Sequence, residues 1–295
     1  MKREYASTEI AALSRLFTTG VIRELAQNGC SPTVSRLLKE SGMNIHNQST
    51  LSDIYDQAFY ILRTKENRLE YIYKNVLAKK ILLGTHSMNT SCMLTEFRAG
   101  CCKADVVILN GTSSVYEIKS EKDKLDRLEK QICEYLKIFD IIQVIVGANH
   151  IPALEKSIPD QVGILVLTDR LQISEYRPAK SNIANTCPEQ IFNSLQRSEY
   201  LAILNKCDIT VPAVPNTCIY GVAKELFLSL QPEKAHQGMV EVLKKTRSSV
   251  SLQNFVQSAP DSLKAAAISV NLSNREKHCF LETLETKVNS VINWI

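Results

Sequence analysis

The hydrophobic pattern changes its period near residue 91, and this change restricts the fold more than any other feature. "SCMLTEFRA", "KADVVILN" and "SVYEIKS" have the pattern of strands, and "KDKLDRLEKQICEYLKIFD" returns to the spacing of an amphipathic helix. "IIQVIVGAN" follows as a continuous apolar strand, of the kind that is buried on both faces. The order βββαβ, entered through a helix, therefore predicts an α/β core.

Helical spacing dominates on both sides of this core. We predict three regions: a helical region at residues 1–60, the core at 61–180 and a second helical region at 181–295. The core also holds two later strands, "VGILVLTD" and an edge strand, "LQISEYRPA". The helical tail, with "KHCFLETLETKVNSVINWI" as its last helix, is a candidate surface for a protein partner or a second copy of the chain.

Composition narrows the class of protein. The chain has 295 residues, a formal charge of +4 and nine cysteines that form no CxxC pair. A charge this small is compatible with binding to phosphate groups but is not evidence for it. The irregular spacing of the cysteines indicates a reducing compartment rather than a zinc site. No apolar run reaches the roughly 18 to 20 residues that a membrane helix needs. We therefore expect a cytoplasmic protein that does not enter a membrane.

The third strand carries charged residues where a strand interior is normally apolar. Successive strand residues point to opposite faces, so Val115, Glu117 and Lys119 share one face. Tyr116 and Ile118 share the other face and can enter the core beneath a helix. Glu117 and Lys119 then project into a common space, which suits a functional site as well as a solvated strand.

The strand before it contributes an acidic residue, Asp105. A two-residue turn at the Asn-Gly dipeptide pairs Asp105 with Tyr116, which places the carboxylate on the wrong side. A turn with an odd number of residues, or one with a bulge, pairs Asp105 with Glu117, and opposed residues of an antiparallel pair share a face. We therefore predict an odd-residue or bulged turn at residues 110–114.

At such a short distance the carboxylates of Asp105 and Glu117 repel each other unless a cation lies between them. Mg²⁺, or Mn²⁺ in its place, favours oxygen ligands and keeps several waters, one of which can attack a phosphorus atom. Lys119 can orient or deprotonate that water, or offset the charge that grows on the phosphate. On the following helix Arg127, Gln131 and Tyr135 lie at i, i+4 and i+8, in a stripe that can meet a phosphodiester.

This set of residues resembles the PD-(D/E)XK nuclease superfamily, in its RecB-like form. The matching motifs are Asp105, then Glu117-X-Lys119, then Gln131-X-X-X-Tyr135. The resemblance implies a restriction-endonuclease-like mixed sheet with an αβββαβ core and helical extensions at both ends. It also implies that Asp105 and Glu117 bind the metal ion and that Lys119 is catalytic. Gln131 and Tyr135 are then residues that line the site.

Two further acidic residues are candidate ligands of the metal ion. Members of the superfamily often add an acid from the preceding helix, and Glu70 in "RLEYIYKN" is the candidate for that position. Glu96 in "TEFRAG" is a second candidate, on the strand before Asp105. The first superfamily motif departs from its usual form, because "KAD" stands where Pro-Asp is typical. The aspartate carries the chemistry, so this departure weakens the resemblance more than the expected activity.

The chain resembles more closely a little-characterised family of bacterial and phage-borne proteins with this core. That family has the motifs "RxEYxYKN", "EFR" and "YEIKSExDxLxRLxxQ", followed by "FD", "VGILxL" and "RSEY". All of them occur in this sequence in the same order. The resemblance covers most of residues 20 to 240.

Each candidate residue also has a purely structural interpretation. Glu117 and Lys119 can be a charged pair on a half-exposed strand. Glu96 can pair with Arg98 across one face of its strand. Gln131 can be an ordinary surface amide, and Tyr135 can be an aromatic residue at the edge of the core. Glu70 can be a solvated helix residue.

Two functions therefore stay open on the sequence alone. The first is a Mg²⁺-dependent nuclease that acts on DNA in phage defence, in a mobile element or in repair. The second is a catalytically silent protein of the same fold that binds a protein partner in immunity or defence. The intact Asp…Glu-X-Lys set favours the first.

Overall fold

The computed structural model describes residues 3–80, 90–247 and 252–295. The chain forms two compact units. The first combines the N-terminal 80 residues with the stretch from residue 251 onwards, and the second comprises residues 81–250. The helices that follow the core in sequence are thus divided between the two units.

The helices and strands of the described ranges follow each other in the order expected of an α/β core between helical regions. The helices are α1 (Ser7–Arg15), α2 (Thr19–Asn28), α3 (Pro32–Glu40), α4 (Leu51–Leu62), α5 (Glu70–Leu77), α6 (Leu128–Leu136), α7 (Ile151–Ser157), α8 (Pro188–Ser194), α9 (Arg197–Lys206), α10 (Ile219–Leu228), α11 (Pro232–Thr246), α12 (Gln253–Ser258), α13 (Lys264–Ser269), α14 (Asn274–Leu284) and α15 (Val288–Val291). The strands are β1 (Cys92–Ala99), β2 (Cys102–Asn110), β3 (Thr112–Lys119), β4 (Ile141–Val146), β5 (Gly163–Leu167) and β6 (Ile173–Arg177). Among the helices described here, none has the length and apolar character that crossing a bilayer requires.

The first unit is helical, and hydrogen bonds at buried Asn75 join its two chain segments. The Asn75 amide donates to the Asp261 carbonyl at 2.9 Å and accepts from Ala265 N at 2.9 Å. Phe17 stacks on Tyr71 with ring centroids 4.3 Å apart. Helix α14, which belongs to the stretch predicted to dock a partner, packs against α2 within this unit. Its docking role stays a prediction.

The second unit is built on a six-stranded sheet in the order β1-β2-β3-β4-β5-β6. Strands β1, β2 and β3 form an antiparallel meander, whereas β3, β4 and β5 are parallel, and β6 is antiparallel to β5. Helix α6 makes the crossover that two parallel neighbours require. The prediction of a mixed α/β architecture with β6 at one edge is confirmed.

Helix α6 covers one face of this sheet. Leu128, Ile132 and Tyr135 are buried at helical spacing and pack in one core with Val115 of β3. Helices α8, α9, α10 and α11 add further buried apolar side chains to the same core. The core therefore lies between the sheet and α6, beside the strand that carries the charged residues.

The charged residues of β3 point towards α6. Val115 belongs to the core under α6, so Glu117 and Lys119, at alternate positions, face the same side. Tyr116 and Ile118 are buried as expected, but on the opposite face of the sheet. The helix that follows the strand thus covers the charged face rather than the apolar one.

Candidate active site

The turn between β2 and β3 fixes the position of the acidic residues. Asn110 pairs with Thr112, so Gly111 alone connects the two strands. Its φ of 72° lies in the left-handed region that glycine adopts without the steric cost of a side chain. The prediction of an odd-residue turn within 110–114 is confirmed, against the two-residue turn that Asn-Gly usually forms.

The β2–β3 ladder ends at the pair Val106–Tyr116, and the side chain of Asp105 takes the place of the next backbone partner. Asp105 Oδ2 accepts from Ile118 N at 2.8 Å. One more step of the same register brings Asp105 opposite Glu117. The carboxylate of Asp105 is therefore fixed on the backbone of the strand that carries Glu117.

The β1–β2 ladder opens at the same level, at Glu96 and Asp105. The pairs on either side keep one register: Thr95–Val106 and Phe97–Ala104. Glu96 has a φ of 54°, a left-handed conformation that costs a residue with a side chain on the order of 1 kcal/mol or more. The backbone is thus distorted where the two acids face each other.

Glu96 and Asp105 form a carboxylate pair on the second unit. Each offers an oxygen within 4.8 Å of an oxygen of the other. Glu96 is exposed and Asp105 half-buried, so the pair is open to solvent. Hard divalent cations such as Mg²⁺ bind carboxylate oxygens and retain water, and this donor set fits such an ion.

A buried polar network adjoins this pair. Lys119 Nζ donates to Glu117 Oε1 at 2.7 Å and to Gln131 Oε1 at 3.0 Å. The Tyr135 hydroxyl donates to Glu117 Oε2 at 2.6 Å and lies 3.0 Å from the Lys103 carbonyl. Glu117 is 1% and Lys119 7% exposed. The structure thus brings together four of the residues that the sequence singled out.

Tyr135 is the neutral member of this network. Burial raises the pKa of its hydroxyl well above the ordinary value, and the negative charges of Glu117 and Asp105 raise it further. The phenol therefore keeps its proton and acts as a hydrogen-bond donor. Its ring lies in the core under α6. The geometry makes Tyr135 a group that orients Glu117, and its predicted contact with substrate stays a prediction.

The helix that carries Gln131 starts later than predicted. Residues 121–127 are two turns joined by an irregular stretch, and the first turn is held by Asp123 Oδ2, which accepts from Ser120 N at 2.8 Å and Ser120 Oγ at 2.7 Å. Arg127 is the N-cap of α6, and its carbonyl accepts from Gln131 N at 3.1 Å. The predicted spacing of the stripe is kept. Arg127 is exposed and Gln131 half-buried, so the stripe runs from solvent towards the interior.

Glu70 belongs to the first unit. It lies in the first turn of α5 and is exposed. Its Oε1 lies 2.6 Å from Lys74 Nζ, an i, i+4 ion pair. Its role as a metal ligand stays a prediction.

The sequence reasoning missed a basic pair on the same two strands. The β1–β2 turn at Gly100, with a φ of 58°, sets a register that pairs Arg98 with Lys103. The glycine was the available signal, because a short turn between two strand-like runs fixes which residues face each other. The suggested pairing of Glu96 with Arg98 does not occur as an ion pair within the described ranges.

Comparison with known proteins identifies the family of the chain. The family model described as bacteriophage P4 protein cII matches residues 63–287, which is more than half of the chain. The chain belongs to the bacteriophage P4 protein cII family. The match includes all of the candidate site residues, from Glu70 to Tyr135.

Other comparisons add little. A search of curated protein sequences finds no match. A solved structure described as the SPO1766 protein of unknown function from Silicibacter pomeroyi covers 56% of this chain and 96% of its own chain. It is 17% identical with a TM-score of 0.29, which is too low to support an argument.

Proposed function

We propose that this member of the P4 cII family is a metal-dependent phosphodiester hydrolase that acts on nucleic acid, DNA in the first instance. The observation that carries the proposal is the open Glu96–Asp105 carboxylate pair beside the Glu117–Lys119 pair. The order α5, β1, β2, β3, α6, β4, with β3 and β4 parallel, agrees with a core of the PD-(D/E)XK type.

The metal ion would be held by Asp105, with Glu96 and Glu117 as further ligands. Each oxygen of a carboxylate has two lone pairs, so Glu117 can keep its hydrogen bonds to Lys119 and Tyr135 and still bind a cation. Mg²⁺ or Mn²⁺ in this position would lower the pKa of a bound water and offset the charge of a phosphate.

The remaining residues would position substrate and the attacking water. Lys119 has three donors and gives two of them to Glu117 and Gln131. The third would donate to a phosphate oxygen or orient the water. Gln131 fixes the Lys119 ammonium, and Arg127, exposed at the start of α6, would contact the phosphodiester backbone.

The burial of the pair supports a second function, a silent protein of the same fold that binds a protein partner. Glu117 and Lys119 are nearly inaccessible and satisfy each other. A pair of this kind can hold a fold together without taking part in a reaction. The discriminating property is metal binding, which the nuclease requires and the silent protein does not.

The test compares Glu117→Gln with Glu129→Gln in the full-length chain. Glu117→Gln keeps an acceptor for the Tyr135 hydroxyl but removes the charge, whereas Glu129 is exposed in the first turn of α6. We expect Mg²⁺- or Mn²⁺-dependent cutting of plasmid, linear duplex or single-stranded DNA. Glu117→Gln should lower its rate about 10²-fold or more, by analogy with the loss of one charge-stabilising group.

The control Glu129→Gln should cut like the wild type. Isothermal titration with Mn²⁺ provides a second measurement, in which Asp105→Asn should abolish binding. A folded wild-type chain that binds no Mn²⁺ and cuts neither DNA nor RNA would rule out the hydrolase and favour the silent protein.

A further inference from the structure

Two basic side chains face each other on the β1–β2 ribbon. Arg98 and Lys103 are direct cross-strand partners, and both are exposed. Directly opposed residues of an antiparallel pair project from the same face with Cβ atoms about 4.5–5.5 Å apart. Like charges in this arrangement repel each other, so the pair destabilises the folded chain unless an anion lies between them.

Within the described ranges no acidic side chain neutralises this pair. Neither Arg98 nor Lys103 forms an ion pair in the part of the chain that the structure describes, and neither side chain makes a hydrogen bond there. Acidic residues lie close by, since Glu96 and Asp105 are each two positions along the same strands. The two bases are therefore not used to balance the two acids.

We propose that Arg98 and Lys103 together bind a phosphate of a nucleic acid backbone. This inference rests on the proposed hydrolase, because it assigns the surface that holds the substrate of that site. An arginine guanidinium can bind two oxygens of a phosphate at once, and a lysine adds a point charge. A phosphate between them would remove the repulsion that the free ribbon carries.

The basic pair lies on the exposed side of the ribbon, because its strand neighbours Phe97 and Ala104 belong to the core under α6. A phosphate held by Arg98 and Lys103 therefore contacts the side of the ribbon that faces away from that core. The contact is to the backbone, so it does not depend on base sequence.

The test measures binding without metal, so that cleavage plays no part. Fluorescence anisotropy with a labelled DNA duplex in EDTA, repeated over a series of salt concentrations, compares the wild type with Arg98→Gln/Lys103→Gln. A duplex RNA of the same sequence forms a second arm and distinguishes the two sources of the phosphodiester. The matched control is Lys156→Gln/Arg170→Gln, which removes the same charges from exposed positions beside β5, far along the sheet.

We expect the double variant to bind about 10-fold or more weakly at low salt. The slope of log affinity against log salt should fall by about 1, since the contact to one phosphate is lost. The melting temperature of the variant should equal or exceed that of the wild type, because a repulsive pair is removed. The control should keep the wild-type slope.

The outcomes separate this inference from the proposed function. Binding that depends on Arg98 and Lys103 in a chain that never cuts would sustain the phosphate site and refute the hydrolase. Metal-dependent cutting with a double variant that binds like the wild type would refute the phosphate site alone. A wild-type chain that binds neither nucleic acid at low salt, or a double variant that unfolds more easily, would also overturn the inference.

Discussion

Two buried carboxylates lie beside opposite ends of strand β3, and their surroundings differ. Asp140, just before β4, lies beside the start of β3, and Glu117 lies near its end. Asp140 accepts hydrogen bonds of 2.5 to 3.1 Å from neutral groups: Thr112 Oγ1, Ser181 Oγ, Asn182 N and Ile183 N. Glu117 accepts hydrogen bonds from the Lys119 ammonium and the Tyr135 hydroxyl. A second acid, Asp105 of β2, lies next to it and accepts from the β3 backbone at Ile118.

This difference separates an acid that holds loops together from the acid that the proposed hydrolysis requires. Burial raises the pKa of Asp140, but the hydrogen bonds from Ser181, Thr112 and Asn182 outweigh it and keep the pKa below 3.8. Its acceptor positions are filled by groups on neighbouring loops. Glu117 retains lone pairs and adjoins an open pair of carboxylates. Burial of an acid therefore does not by itself indicate a functional site. The groups that donate hydrogen bonds to the acid are more informative.

The largest effect is expected when the Glu117–Lys119 pair is broken from one side. Lys119→Met keeps most of the side chain but removes the ammonium, which leaves Glu117 buried with only the Tyr135 donor. An unpaired charge of this kind typically lowers the free energy of unfolding by about 3–5 kcal/mol. Urea denaturation of the full chain measures this loss.

The double variant Glu117→Gln/Lys119→Met separates stability from chemistry. It should recover most of the lost stability, because both buried charges are gone. The proposed hydrolysis should stay about 10²- to 10⁴-fold below that of the wild type. A stable double variant that still cuts nucleic acid would show that the pair is structural, like Asp140.

Asp140→Asn tests the other end of the strand. The asparagine oxygen can take the place of Oδ1, but its NH2 group then stands where Oδ2 accepts from the Thr112 hydroxyl, and the charge that strengthens the bonds from Ser181 and the backbone is lost. We expect a loss of about 2–3 kcal/mol in the free energy of unfolding, and no change in metal binding. Asp123→Asn is the matched control, because Asp123 also accepts from a backbone N–H and a hydroxyl but is exposed. Equal losses in the two variants would contradict the saturated-acid interpretation.

The distorted backbone at Glu96 gives a smaller effect. Glu96→Gly removes the steric cost of a φ of 54° and should raise the free energy of unfolding by about 1 kcal/mol or less. It also removes one of the two open carboxylates, so Mn²⁺ affinity should fall. Asp208→Gly is the control, an exposed acid with a φ of 59°. It should raise stability and leave Mn²⁺ binding, measured by calorimetry, unchanged.

The sequence predicted the parts of the site that depend on local periodicity. Alternation along β3 places Glu117 and Lys119 on one face, and helical spacing places Gln131 and Tyr135 on one side of α6. The odd-residue turn followed from a chemical argument, that two carboxylates must share a face. These inferences needed only the side-chain directions of regular strands and helices.

The missed features depend on departures from regular geometry and on distant contacts. No local pattern shows that Glu96 leaves its ladder with a left-handed backbone, because glutamate seldom adopts that conformation. The start of α6 was displaced by the Ser120–Asp123 turn, although "SEKD" carries a recognisable turn signal. The joining of residues 252–295 to the N-terminal helices rests on long-range bonds such as those of Asn75.

The smallest predicted effect is the pH dependence of stability. It is expected from a histidine beside the start of β3 and not from the charged pair near the end of this strand. His236 on α11 is buried against Ser113, with its Nε2 2.7 Å from the hydroxyl, and burial lowers its pKa from 6.5, although the charge of Asp140 opposes this. His236 therefore binds a proton more readily in the unfolded chain than in the folded chain. The free energy of unfolding should fall as the pH drops below 6.5. The lowered pKa of Asp140 acts in a separate window, because its contribution is lost only when the pH falls towards and below 3.8.

Urea denaturation between about pH 7.5 and about pH 5 isolates the histidine, since this range lies above the window in which Asp140 titrates. His236→Gln should flatten the dependence, because glutamine can still bond to the Ser113 hydroxyl but does not titrate. Glu117→Gln/Lys119→Met should keep the wild-type slope over the same range, since it removes both ionisable groups from the far end of the strand and leaves no unpaired buried carboxylate there. A slope that followed this pair rather than His236 would mean that the titrating group belongs to the candidate active site, and the two ends of β3 would no longer have separate roles.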